Sequence, residues 1–248
     1  MKGSRAPQIV TILVEPRDDA NIGSVARALK NCGFGELRIV RDARPGERAR
    51  WTAVHAEDVL DQAKLFSNYK DSLAGIDWLV AFTARNRRYG PKRELWDSQA
   101  AAAISARAKS GTVGFVFGPE QSGLEESHLA PCAQIFTIPA APERPVYNLA
   151  QSVLLACHAV AFPTVKSSEP RAQNRNVQKN AGREEIDKLM LEFQSSLATL
   201  GFKPPRTPHD RTARILARIR GLLERGGIDD RDAAMWKGIL ARIRRGLL

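Results

Sequence analysis

The chain reads as an α/β protein, with a mostly parallel sheet, helices on both faces and a small helical extension at the C-terminus. Two observations predict this. Short apolar, β-branched runs alternate with helical patterns across the first 163 residues, which is how strand–helix units build a parallel sheet. Beyond residue 182 only helical periodicities remain.

The elements follow in order. QIVTILV at 8–14 is a buried strand. In 21–32, Ile22, Val25, Ala26 and Leu29 fall on one helical face, with Asn21 as N-cap and Gly33 as the stop. Residues 37–40 form a second strand, and 41–50 (RDARPGERAR) a basic loop around a Pro-Gly turn. WLVAFT at 78–83 is a third strand and 98–109 an alanine-rich helix. TVGFVF at 112–117 and residues 134–138 are further strands, and 148–162 is a long apolar helix.

Residues 164–182 are rich in Ser, Asn, Gln and Lys/Arg, and read as a flexible basic linker. Three amphipathic helices then follow. The first carries Ile186, Leu189, Met190, Phe193, Leu197 and Leu200. The second carries Ile215, Leu216, Ile219, Leu222 and Leu223 up to Gly226-Gly227. The third, capped by Asp229 or Asp230, carries Trp236, Ile239, Leu240 and Ile243. The expected organisation is a catalytic-type α/β domain at 1–163, the linker, and a helical extension at 183–248.

With 248 residues and 43% hydrophobic content, the chain has material for a substantial core. No run approaches the roughly 20 apolar residues of a membrane span. Residues 1–7 lack the apolar stretch of a signal peptide, so a cytoplasmic protein is expected. Cys32, Cys132 and Cys157 are widely spaced and form no CxxC pair, which suits buried thiols and not a zinc site or disulfide framework. The net charge is +11. Residues 1–163 carry 20 Lys/Arg against 17 Asp/Glu, while 164–248 carry 18 against 10. This excess in the last third points to a polyanion, nucleic acid before an anionic membrane surface.

Three segments carry the chemistry. In EPRDDANIGSVAR (15–27) a strand end leads into a helix, with Asn21, Gly23 and Arg27 near the position where open α/β sheets bind ligands. Alone, it is equally an ordinary helix cap. FGPEQSGL (117–124) flanks Glu120 with glycines after a strand, a tight loop able to wrap a small ligand or a plain turn in which Glu120 caps a helix. IPAAPERPVYNLA (138–150) is a proline-stiffened loop before an apolar helix. None of these is a GxGxxG or Walker loop. His55, His128, His158 and His209 lie outside them, and neither a catalytic triad nor a metal cluster stands out.

Taken together, the three segments resemble the signature motifs of the SPOUT superfamily, specifically the TrmH (SpoU) type RNA ribose methyltransferases. N-x-G-x-x-x-R falls on Asn21, Gly23 and Arg27. F-G-x-E-x-x-G-L falls on Phe117, Gly118, Glu120, Gly123 and Leu124. I-P…N-L-A falls on Ile138, Pro139, Asn148, Leu149 and Ala150. The likeness spans residues 8–163. VEP…NIGSVARALKNCGF at 14–34, TAR at 83–85 and the helical extension look like the TrmJ branch, which methylates nucleotide 32 of the tRNA anticodon loop.

The resemblance implies a C-terminal trefoil knot, a homodimer, S-adenosylmethionine as cofactor, tRNA as substrate and no metal. It implies an adenosyl pocket at Phe82, Thr83, Ala84, Gly118, Ile138, Pro145, Val146 and Tyr147. The catalytic neighbourhood is implied at Arg27, Asn21, Glu120 and Asn148. Arg44, Arg48, Arg50, Arg211, Arg214, Arg218, Arg244 and Arg245 are the expected RNA contacts. One position departs from the pattern: Val146 stands where the family usually has Ser. A catalytically inactive RNA-binding relative and a ribosomal RNA methyltransferase are the competing readings.

Overall fold

The structure, a computed structural model, describes residues 6–85, 93–163, 181–207 and 210–246. The predicted linker falls almost wholly outside the described residues, as does His209.

Seven strands form one sheet: β1 (Gln8–Val14), β2 (Glu36–Val40), β3 (Lys64–Phe66), β4 (Trp78–Phe82), β5 (Arg93–Leu95), β6 (Thr112–Phe117) and β7 (Gln134–Thr137). Their order is β3-β2-β1-β6-β4-β7-β5, and every pairing is parallel. From β1 the chain works outward to β3. It then crosses to the other half, and β6 returns to sit against β1.

The period of two along β1 divides its side chains between two cores. Ile9 and Leu13 join one face, with α1 (Asp19–Asn31), α4 (Ser98–Ala108) and α6 (Leu149–Ala161) packed on it. Val10, Ile12 and Val14 join the other. The expectation of helices on both faces holds unevenly. The second face is covered by a 3-10 turn at Asp71–Leu73, the loop residue Ile76 and the single-turn helix α5 (Glu126–Leu129).

Two expectations are corrected. The helix containing Ile22 starts at Asp19, and its N-cap is Asp18, whose carboxylate accepts from the Ala20 N–H at 3.0 Å; Asn21 lies inside the first turn. Both residue types cap well, so sequence alone placed the cap three residues late. The basic loop at 41–50 is a loop only to Gly46, because α2 (Glu47–Ala53) follows and α3 (Glu57–Asp61) comes after it. Seven and five residues give too little periodicity to read from sequence.

The C-terminal helices α7 (Arg183–Thr199), α8 (Arg211–Gly226) and α9 (Asp230–Gly246) bury a third core of Ile186, Leu189, Met190, Leu223, Ala233 and Leu240. Gly227, at φ 65°, ends α8 in the left-handed conformation that glycine adopts without cost. Asp229 accepts from the Asp232 N–H and so caps α9. Arg220 bridges Asp187 and Glu224. Burial pushes the Glu224 carboxyl up to about 7 against the pull of Arg220. All three cysteines are buried and free. No described helix is long and apolar enough to cross a membrane.

Gly23 marks the closest helix contact. A Cβ there would lie 1.9 Å from the Ala49 carbonyl oxygen and 2.2 Å from Thr52 Oγ1. Because the obstacle is α2 backbone, α1 and α2 would have to separate. Gly23→Ala is therefore expected to cost ~2–3 kcal/mol in urea unfolding. An unchanged midpoint would contradict this packing.

Candidate active site

The chain leaves β1 in one direction and β6 in the other, the switch point at which open α/β sheets form a crevice outside the carboxyl ends of their strands. The loop after β1 turns sharply, with Glu15 at φ 48°. The loop after β6 folds back on itself. At Gly118 a Cβ would lie 2.5 Å from both Gly123 C and Leu124 N, and Gly123 sits at φ 64°. Only glycine at both positions permits so tight a return.

Glu120 reaches from this return across the crevice. Its carboxylate accepts from the Arg17 N–H (3.1 Å), the Asp18 N–H (3.4 Å) and Asn21 Nδ2 (2.7 Å). It does not cap the following helix, as one reading of the sequence had it; Glu125 does. Asn21 Oδ1 in turn accepts from Asn148 Nδ2 at 2.9 Å. Asn148 is the N-cap of α6, and its Oδ1 accepts from the Ala150 N–H. A continuous relay thus joins Asn148, Asn21 and Glu120 from three distant segments.

The relay has a fixed polarity. Asn148 spends its oxygen on the cap, so it can only donate to Asn21. Asn21 then spends its oxygen on Asn148, so it can only donate to Glu120. Burial pulls the Glu120 carboxyl up, but hydrogen bonds from Asn21 and the Arg17 and Asp18 amides outweigh it and hold it below the usual range. Glu120 is thus an ionised acceptor that orients Asn21, and a poor proton reservoir near neutrality.

The loops after β4 and β7 flank the same end of the sheet. The Thr83 N–H donates to the Phe136 carbonyl at 2.9 Å, and the Thr83 carbonyl accepts from Thr137 Oγ1 at 2.7 Å. Arg85 donates to the Gln121 carbonyl. Tyr147 closes the 139–147 loop by donating from its hydroxyl to the Pro139 carbonyl at 3.1 Å. Phe82 is core: its ring stacks on Phe117 at 5.0 Å, so only its backbone is available to a ligand. Thr83, Ala84, Gly118 and Ile138 are half-buried, while Pro145, Val146 and Tyr147 stand exposed.

Arg27 is not brought to the relay within this chain. It is exposed, six residues beyond Asn21, hence about 9 Å along α1 and about 120° around it. Among the described residues it has no side-chain partner.

The basic residues also divide. Arg44 is exposed. Arg48 and Arg50 lie on α2, facing Asp18 and Asp61. Arg211, 5.6 Å from the Phe202 ring, Arg214, Arg218 and Arg245 are exposed on the bundle. Arg244 is half-buried and bound to Glu192 and Ser196 inside the bundle, so it is the least available to RNA. Sequence reasoning missed the Arg17 and Asp18 amides that anchor Glu120, and Gln121, whose side chain accepts from Arg17 at 3.0 Å. Main-chain donors leave no mark in side-chain identity.

The sequence model of the SpoU rRNA methylase family matches residues 8–158. The tRNA (cytidine-2'-O-)-methyltransferase TrmJ of Methanocaldococcus jannaschii is 32% identical over 161 residues, covering 64% of this chain and 70% of that protein. The tRNA (cytidine/uridine/adenosine-2'-O-)-methyltransferase TrmJ of Pseudomonas aeruginosa is 28% identical, covering 97% of this chain and 96% of that one. The crystal structure of TrmJ from Z. mobilis ZM4 superposes with a TM-score of 0.75 at 30% identity, covering 94% and 98% of the two chains.

The depressed Glu120 pKa has a direction in pH. Its stabilisation is present above the ordinary carboxylate range and is lost as pH falls through the folded value. Denaturation of wild type and Glu120→Gln should differ most near neutrality, with the gap closing as pH falls below the ordinary carboxylate value of 4.5. A gap independent of pH would contradict this.

Proposed function

This chain belongs to the SpoU rRNA methylase family, and from that premise we propose that it methylates a ribose 2'-hydroxyl of tRNA, at nucleotide 32 of the anticodon loop, using S-adenosylmethionine. One observation carries the reading: Asn21, Glu120 and Asn148, drawn from three separate segments, meet in a single hydrogen-bonded relay at the switch point of the sheet. The Pseudomonas aeruginosa TrmJ, named as a tRNA 2'-O-methyltransferase, and the Z. mobilis TrmJ structure align across nearly the whole chain. That span includes the basic helical extension, and it favours tRNA over ribosomal RNA.

The residues present suit the cofactor in kind. Half-buried Ala84, Gly118 and Ile138 with exposed apolar Pro145–Tyr147 offer main-chain partners to an adenine edge and apolar cover to its faces, while the Thr83 N–H, given to Phe136, holds the loop after β4 in place. Val146 brings no hydroxyl to this loop, and the Tyr147 hydroxyl is already donated to Pro139. The strand order supports the implied trefoil knot, because β6 and β7 both enter between strands laid down earlier.

When bound, S-adenosylmethionine supplies an electrophilic methyl on a sulfonium that is already a good leaving group. The protein must align the ribose and ease loss of the hydroxyl proton to solvent as its oxygen takes the methyl and the sulfur keeps the electron pair of the broken bond. Arg27, a cation that presents several N–H donors, holds the neighbouring phosphate and stabilises developing alkoxide charge. The relay keeps the Asn21 and Asn148 amides oriented. Since Arg27 is exposed and has no hydrogen bond or ion pair to the relay of its own chain, a homodimer is the arrangement that supplies it, one copy completing the other's site. α6, which packs on α1, leaves Leu154, Leu155 and Phe162 exposed, and these offer an apolar face for such a contact. The exposed arginines of α2, α8 and α9 grip phosphates, and the enzyme acts in the cytoplasm.

Incubation with unmodified bulk tRNA and methyl-labelled S-adenosylmethionine should place label on the ribose of nucleotide 32. Label elsewhere in tRNA would discard the position, and neither label nor cofactor binding would overturn the enzyme reading. Arg27→Ala is expected to lower turnover about 10²–10³-fold with cofactor affinity nearly unchanged; full activity would remove Arg27 from the mechanism. Arg218→Ala with Arg245→Ala should weaken tRNA binding and reduce its salt slope by about 1 per lost contact. An unaltered slope would place the RNA elsewhere.

A further inference from the structure

Trp51 is left in the open. It is 71% exposed, whereas Trp78 and Trp96 are 7% and 5% exposed. Its outward position follows from the phase of α2. Ala49 and Ala53 are buried, and Thr52 Oγ1 donates to the Ala20 carbonyl at 2.8 Å, so this side of the helix is pinned to the first turn of α1. Trp51 lies about 200° round from Ala49, on the opposite side, with Arg48 one turn before it.

This outer face adjoins the relay. Arg48 Nη2 lies 3.8 Å from Asp18 Oδ1, and the Asp18 N–H donates to Glu120. Arg48, one turn before the indole, and Arg44, in the loop that leads into α2, are exposed, and Glu47 is the one acidic residue of α2. A large flat ring on a face that carries an exposed arginine, next to a site for ribose, has the character of a nucleobase platform. Unpaired bases stack on aromatic faces with little regard to identity, while flanking cations take the phosphates. A ribose in a loop is presented only when its neighbouring bases leave their own stack, and such a base needs a new partner.

We propose that Trp51 is the stacking platform for an unpaired nucleobase of the RNA substrate next to the target ribose, with Arg44 and Arg48 holding the adjoining phosphates. The proposal rests on the reading of this chain as an RNA ribose methyltransferase. The exposed Arg44 and Arg48 complement a polyanion, and Arg48 ties this face to the relay through Asp18; together these favour RNA over an apolar protein partner.

The test uses the full chain, with unmodified tRNA transcripts as probe. Tryptophan emission during tRNA titration should show quenching of an exposed component, absent in Trp51→Phe. Affinity should fall on the order of ten-fold in Trp51→Ala and be largely restored in Trp51→Phe. Cofactor binding and sedimentation should match wild type in both. Unchanged tRNA affinity in Trp51→Ala, while wild type still methylates tRNA, would overturn the platform and leave the enzyme reading standing. A loss of affinity accompanied by a changed oligomeric state would also overturn it, by assigning the indole to a second copy of the chain. Failure of the wild type to bind tRNA at all would remove the reading beneath it, and the platform with it.

Discussion

Asn148 has one side-chain oxygen and one amide, and the fold claims both. The oxygen closes the first turn of α6, which leaves the amide to point at Asn21. From that choice the orientation of Asn21 follows, and from Asn21 the need for an ionised acceptor at residue 120. The relay runs one way, from a helix cap to a carboxylate, and no member can be flipped without leaving two donors or two acceptors face to face. It also fastens the loops after β1 and β6 and the start of α6 to one point. The geometry of the proposed site is thus inherited from secondary structure and depends little on long flexible side chains.

The surrounding architecture serves that point. β6 returns to the middle of the sheet beside β1, which brings residues about 100 positions apart into hydrogen-bonding distance. Gly118 and Gly123 let the second loop fold tightly enough to aim Glu120 across the crevice, and Gly23 lets α2 settle against α1. In the helical extension the positive charge serves two purposes. Arg220, Lys237 and Arg244 are consumed by Asp187, Glu185 and Glu192 in holding α7, α8 and α9 together. Arg211, Arg218 and Arg245 remain at the surface, where counter-ions or phosphates must neutralise them.

Much of this was legible in the residues. The long strands were, because β-branched runs such as QIVTILV and TVGFVF bury both faces and carry no competing period. The three C-terminal helices were equally plain, since their apolar stripes had nothing but one another to cover them. The three-residue strands β3 and β5 and the short helices α2, α3 and α5 were not, because so few residues give no period to read. At the site, the motif resemblance implied Asn21, Glu120 and Asn148 as one neighbourhood, but not the hydrogen bonds that join them, since residue identity does not state which amide faces which oxygen. The cap was misplaced because Asp18 and Asn21 are both good caps, and only the tertiary demand from Glu120 and Asn148 draws Asn21 away from that role. Arg27 sits where the motif puts it and has no hydrogen bond or ion pair to its own chain's relay, since six residues carry it about 9 Å along α1 from Asn21.

The central claim is that Asn148, Asn21 and Glu120 work as one unit in methyl transfer to tRNA. A double-mutant cycle on turnover, with Asn148→Ala, Glu120→Gln and the combined variant, tests it most directly. The account predicts strong non-additivity, the double variant losing little more than the more damaged single one. Independent, multiplicative losses would mean that the hydrogen-bonded chain does not act as a unit, and would contradict the account.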